Sequence, residues 1–83
     1  MTQIELARQW AATPIGYHKS ASLFCDCSTI YSYTRAFPLA KIVDHGNAIM
    51  NDRRCPSQTT KRHFNMVREV LERARYNITV EAL

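Results

Sequence analysis

Apolar and polar residues change their rhythm twice along this chain, and the changes divide it into three regions. In the first, Ile4, Ala7 and Ala11 recur on one face with Leu6 and Trp10 beside them, the 3.6-residue period of an amphipathic helix. Thr2 and Glu5 stand at capping-box spacing, the hydroxyl reaching forward and the carboxylate back to otherwise free amides. Pro14 cannot continue a helix, so Pro14-Ile15-Gly16 reads as a turn.

In the second region the pattern turns β-like. Ala21 to Cys25 is a short apolar run, and Asp26-Cys27-Ser28 supplies polar turn chemistry. Thr29-Ile30-Tyr31-Ser32-Tyr33 brings β-branched and aromatic residues in partial alternation. Phe37 to Val43 is again apolar, although Pro38 puts its start at an edge or in a turn. Asp44-His45-Gly46-Asn47 is the clearest turn signal in the chain, and Ala48-Ile49-Met50 returns from it as another short strand. These segments predict an antiparallel meander.

The third region opens with the polar loop 51–57. A helix is predicted from about Thr60 to Arg75, with Phe64, Val67, Leu71 and Ala74 forming a buried stripe that Val70 widens. Glu69 with Arg73, and Arg68 with Glu72, are placed for i,i+4 ion pairs on its outer side. The alternating tail 76–81 has the pattern of a final edge strand. The expected fold is therefore a single small α+β domain over residues 1–83: an N-terminal helix, a short antiparallel β-meander, a C-terminal amphipathic helix and that edge strand.

Length and composition sharpen this picture. With 83 residues, 46% of them hydrophobic and 22% charged, the chain can fold but has room for one modest core. Stability will be thin unless something staples or pairs the domain, so a homodimer is compatible with the sequence. Eleven Lys and Arg against seven Asp and Glu leave a net charge of +4. Such a surplus on a small surface favours polyanions, either nucleic acid or an acidic protein face. Three cysteines, an odd number, with no secretion signal at the N-terminus predict reduced thiols, and no apolar run approaches the ~20 residues that span a membrane. A soluble cytoplasmic protein without membrane contact is the expectation.

Charge and hydroxyls meet at one place. Ser57-Gln58-Thr59-Thr60-Lys61-Arg62-His63 holds three N-cap candidates, yet it puts Lys61 and Arg62 in the first helical turn, where the helix dipole is already positive. Cations there become favourable when an anion sits over the free amides, with Arg53 and Arg54 in the preceding loop able to close on it. Lys61, Arg68 and Arg75 recur every seven residues and extend a basic line down the exposed face. The predicted binding residues are thus Arg53, Arg54, Thr59, Thr60, Lys61, Arg62, His63, Arg68 and Arg75. The alternative for the same residues is an ordinary cap and a solvated helix face.

Other chemistry is less well supported. A zinc site would combine Cys25, Cys27, Cys55 and His63 with His18 or His45 in reserve, but a one-residue gap does not match the usual Cys pair. No motif orients a Cys–His nucleophile pair, and there is no glycine-rich phosphate loop or paired-carboxylate motif. Neither a cofactor, a metal nor a catalytic residue is expected. Tyr31 and Tyr33, two apart, would share one face of a strand and could stack bases there or simply pack a core.

Tyr17-His18-Lys19-Ser20, Thr29-Ile30-Tyr31-Ser32-Tyr33, Phe37-Pro38-Leu39-Ala40 and the Ser57 to His63 segment, in this order, resemble a family of short, poorly characterised proteins of bacteriophages and other mobile elements. The resemblance covers roughly residues 17 to 72, where a brief meander precedes a Ser-x-Thr-Thr-x-x-His helix start. Thr34-Arg35-Ala36 replaces the glycine and histidine usual there, Cys27 replaces a turn glycine, and Cys55-Pro56 stands where an aromatic is expected nearby. The resemblance implies a host-cell setting and a compact protein that binds and interferes. Two expectations follow. One is a non-enzymatic accessory protein that binds nucleic acid or a nucleic-acid-handling host complex. The other is a stoichiometric, anti-CRISPR-like inhibitor of a host defence nucleoprotein.

Overall fold

A computed structural model describes residues 1–54 and 56–83. Its elements follow the order α1 (Gln3–Ala12), β1 (Tyr17–Ser20), β2 (Leu23–Asp26), β3 (Thr29–Ser32), β4 (Pro38–Asp44), β5 (Asn47–Asn51), α2 (Gln58–Arg73) and β6 (Asn77–Glu81). The α+β architecture is the predicted one. α1 begins with the capping box read from the sequence: the Thr2 hydroxyl accepts from the Glu5 amide at 3.2 Å, and the Thr2 amide donates to the Glu5 carboxylate at 3.0 Å.

The six strands lie in one sheet in sequence order. β1 to β5 form an antiparallel meander, and α2 then carries the chain over so that β6 runs parallel beside β5. Three hairpins turn through two-residue loops, and each takes one residue with positive φ: Ala21 at +54°, Cys27 at +52° and Gly46 at +94°. Cys27 therefore does adopt the backbone a glycine would hold more easily. Between β3 and β4 the register shifts opposite Ile30 and Tyr31, and both Leu39 and Ala40 are buried.

Register assigns the two sheet faces. Leu23, Cys25, Ile30, Ala40, Ile42, Ala48 and Met50 face one way and cluster with Leu6, Trp10 and Ala11 of α1 and Val67, Val70 and Leu71 of α2. Both helices thus cover a single face. The Tyr76 hydroxyl donates to the Ala11 carbonyl at 2.6 Å, tying the start of β6 to the end of α1. The radius of gyration of 11.1 Å is close to the ~12 Å expected of one compact body of this length.

Three expectations need correction. β1 was not foreseen, because Tyr17-His18-Lys19-Ser20 carries no apolar alternation and exists as an edge strand through its pairing with β2. The predicted α2 stripe is shifted: Thr60, His63, Val67, Val70 and Leu71 are buried, Phe64 is half-buried and Ala74 is exposed. α2 also spans Gln58–Arg73 rather than 60–75, and Arg75 has left the helix with φ of +64°. Tyr76 N–H donates to the Leu71 carbonyl and Arg75 N–H to the Glu72 carbonyl, both at 3.0 Å. These are the two bonds of a Schellman end, with Arg75 at the position usually held by glycine.

Candidate functional site

The β5–α2 connection and the first turns of α2 bring together four of the nine predicted residues. Ser57 is the N-cap, with extended φ and ψ, and its hydroxyl oxygen accepts from the Thr60 amide at 3.1 Å. The first turn of α2 holds no acidic residue to offset the dipole. Arg53 and Arg54 from the loop, and Lys61 and Arg68 two helical turns apart on α2, line one open groove of about 660 Å³. Asp52 is the carboxylate among its lining residues.

The loop is anchored rather than loose at its start. Asn51 is buried; its side-chain amide donates to the Pro38 carbonyl at 2.7 Å, and its oxygen accepts from the Arg53 amide at 3.1 Å. The Arg53 guanidinium donates to the Ala36 carbonyl at 3.2 Å and lies 5.5 Å over the Phe37 ring. Arg68 meets Glu72 only loosely, at 3.9 Å between exposed side chains, while Arg73 and Glu69 form the tighter pair at 3.0 Å. Among the described residues, Arg54 and Lys61 have no ion-pair partner.

The remaining predicted residues lie elsewhere. Thr59 is half-buried, and Arg62 is exposed on α2 outside the groove lining. Arg75 sits beyond the far end of α2, about 20 Å along the helix from Lys61, so the basic line is Lys61 and Arg68 without it. Thr60 and His63 point inward and are 1% and 3% exposed.

These two belong to a buried polar network that the sequence reading did not find. Ser32 at the end of β3 places its hydroxyl 2.9 Å from His63 Nδ1 and 3.3 Å from the Thr60 hydroxyl, which in turn lies 3.0 Å from the Ser57 hydroxyl. Burial pushes the His63 imidazole below its ordinary pKa and keeps it neutral. The network fastens the α2 N-terminus to the sheet and so fixes where Lys61 and Arg68 project. A signal for it existed: in Tyr31-Ser32-Tyr33, alternation puts Ser32 on the face opposite Tyr31.

The tyrosine pair is divided. Tyr33 has φ of +66°, leaves the strand, and brings its ring to 6.4 Å from that of His63 on the helix side. Tyr31 lies on the helix-free face instead. There it stacks on Phe24 at 5.0 Å, and Tyr17 follows at 5.9 Å from Phe24. Arg35 covers the row, its guanidinium 5.8 Å from Phe24 and 5.6 Å from Tyr31, paired with Asp26 at 2.8 Å.

The thiols are dispersed: Cys25 is buried, where desolvation raises its pKa, and Cys27 is exposed in a turn. Among the described residues no group of three or more His, Cys, Asp or Glu side chains could hold a metal; Cys55, the third thiol of the zinc reading, lies outside them. No helix is long and apolar enough to cross a membrane. No family model, curated protein or solved structure matches this chain.

Proposed function

We propose that this protein is a non-enzymatic, phage-type accessory protein that binds nucleic acid through the groove at the start of α2. The observation that carries this reading is the convergence of Arg53, Arg54, Lys61 and Arg68 on one concave surface with a single carboxylate, Asp52, among its lining. Arg53, Arg54 and Lys61 beside the helix N-terminus repel one another and the helix dipole, and Arg68 adds a like charge two turns further on. A phosphate backbone relieves that repulsion and releases its own counterions. Ser32 and His63 stand at nucleophile–base distance, but both are nearly fully buried and the Ser32 hydroxyl is shared with Thr60. They support a structural role rather than a catalytic one.

Half-buried Phe64 and exposed Val80 in the same groove favour a second reading, a stoichiometric inhibitor that grips an acidic face of a host nucleoprotein. Pull-down from host lysate with and without nuclease separates the two. Partners lost after nuclease support nucleic-acid binding. A protein partner retained in fixed stoichiometry overturns it in favour of the inhibitor.

A further inference from the structure

We propose that the helix-free face of the sheet is a stacking ledge for unpaired bases, so that the nucleic acid bound by this protein is single-stranded. The inference rests on the nucleic-acid reading of the α2 groove and adds a second contact surface to it.

Phe24 and Tyr31 are direct cross-strand partners, and Tyr17 lies on the next strand, so three rings from β1, β2 and β3 form one row. Tyr17, at the sheet edge, is 54% exposed. At the other end, the Arg35 guanidinium lies over Phe24 and Tyr31, a planar cation in the place where a planar base would stack. Arg35 is held there by an ion pair with Asp26 whose side chains are 59% and 36% exposed. Exposed pairs of this kind exchange cheaply with water or a phosphate. Phe24 is 7% exposed and stacked on Tyr31, so it backs the row rather than offering a free face. A base that displaces the guanidinium packs on half-buried Tyr31 and exposed Tyr17, and the released Arg35 stays within reach of the backbone that carries the base.

Charge decides the occupant. Lys19 pairs in register with Phe24, and Lys41 with Thr29, so both lie on this face and flank the aromatic row. With Arg35 they set three cations beside the row against Asp26, which Arg35 already neutralises. Glu81 shares this face by its register with Asn51 but lies on β6, at the sheet edge away from the rings. A second copy of this basic face would be repelled, whereas a phosphodiester strand is attracted. A duplex could meet the lysines, but its base faces are already stacked on one another and leave the rings unused. The ledge also continues the groove. The loop 33–37 carries Arg35 over the rings and offers the Ala36 carbonyl, one residue on, to Arg53 of the groove. A single strand leaving the groove at Arg53 therefore meets Arg35 next.

The test is fluorescence anisotropy with a labelled oligothymidylate of about 15 nucleotides, near the upper size a small single-strand module covers, and a duplex of equal length. Wild-type protein should bind the single strand more tightly. Tyr17→Ser, at an exposed edge position, should weaken single-strand binding about tenfold and leave duplex binding unchanged. Lys61→Ala should weaken both. Equal binding of the two probes, unaltered by Tyr17→Ser but dependent on Lys61, overturns the ledge and keeps the groove. If neither probe binds at low salt, both proposals fall. A homodimer that Tyr17→Ser dissolves would assign this face to a second copy and overturn the ledge as well.

Discussion

The hydroxyl of Ser32 lies 2.9 Å from Nδ1 of His63, joining the last residue of β3 to the second turn of α2 across 31 positions of sequence. Thr60 and the N-cap Ser57 extend this contact to the helix terminus. The residues whose spacing suggested an anion cradle thus divide by direction. Thr60 and His63 hold the helix, and Lys61 faces the groove.

Breaking the network should cost stability before it costs binding. Ser32→Ala leaves buried polar partners unsatisfied, a loss of about 1–3 kcal/mol. Urea melts should show a lower midpoint with an unchanged slope. A variant as stable as wild type would remove the network from the account of the fold.

Stability should fall in mild acid. His63 titrates in the folded protein below its ordinary value of 6.5 because it is buried, so the unfolded chain takes up the proton first. Stability from the neutral imidazole is complete above about pH 6.5 and is lost as pH falls from there through the folded-state value. Glu5, whose carboxylate is held down by its hydrogen bonds to Thr2, acts only lower, below its ordinary 4.5. Thermal melts should therefore be level above about pH 6.5 and fall between there and about pH 5, and His63→Gln should flatten that fall.

Groove cations should be visible in salt dependence. If Lys61 and Arg54 each meet a phosphate, replacing either by Ala reduces the slope of log affinity against log salt by about one. Arg62→Ala should change it less, because Arg62 lies outside the groove lining. Equal effects at all three positions would mean a diffuse basic surface rather than a groove.

Arg75 should respond in the opposite sense. It occupies the left-handed position of the α2 Schellman end with φ of +64°, where a side chain is strained and glycine is not. Arg75→Gly should raise stability by about 0.5–1 kcal/mol, the relief of strain less the added chain entropy. Its effect on nucleic-acid affinity should be small beside that of Lys61→Ala, as a direct titration would show.

Local chemistry explains what was legible. The Thr2–Glu5 capping box, the Asp44 to Asn47 turn and the i,i+4 pairs of α2 involve residues within four positions of one another, and each was readable from spacing alone. β1 was missed because its polar residues become a strand only through hydrogen bonds to β2. Alternation puts Tyr31 and Tyr33 on one face only if the strand is unbroken, and the positive φ at Tyr33 breaks it. Phe24, Arg35 and Tyr17 come from three separate segments, and no local spacing marks them as a group.

The sequence by itself determined that the start of α2 carries charges opposed to the helix dipole, and that the chain folds as two helices with a meander, because both follow from short-range patterns. Tertiary structure alone decided which of those residues are free to bind. Ser32 and the core draw Thr60 and His63 inward, the Schellman end turns Arg75 away, and the loop anchored by Asn51 brings Arg53 and Arg54 alongside Lys61 and Arg68. Direction and proximity depend on contacts between distant segments, which spacing along a single chain does not encode.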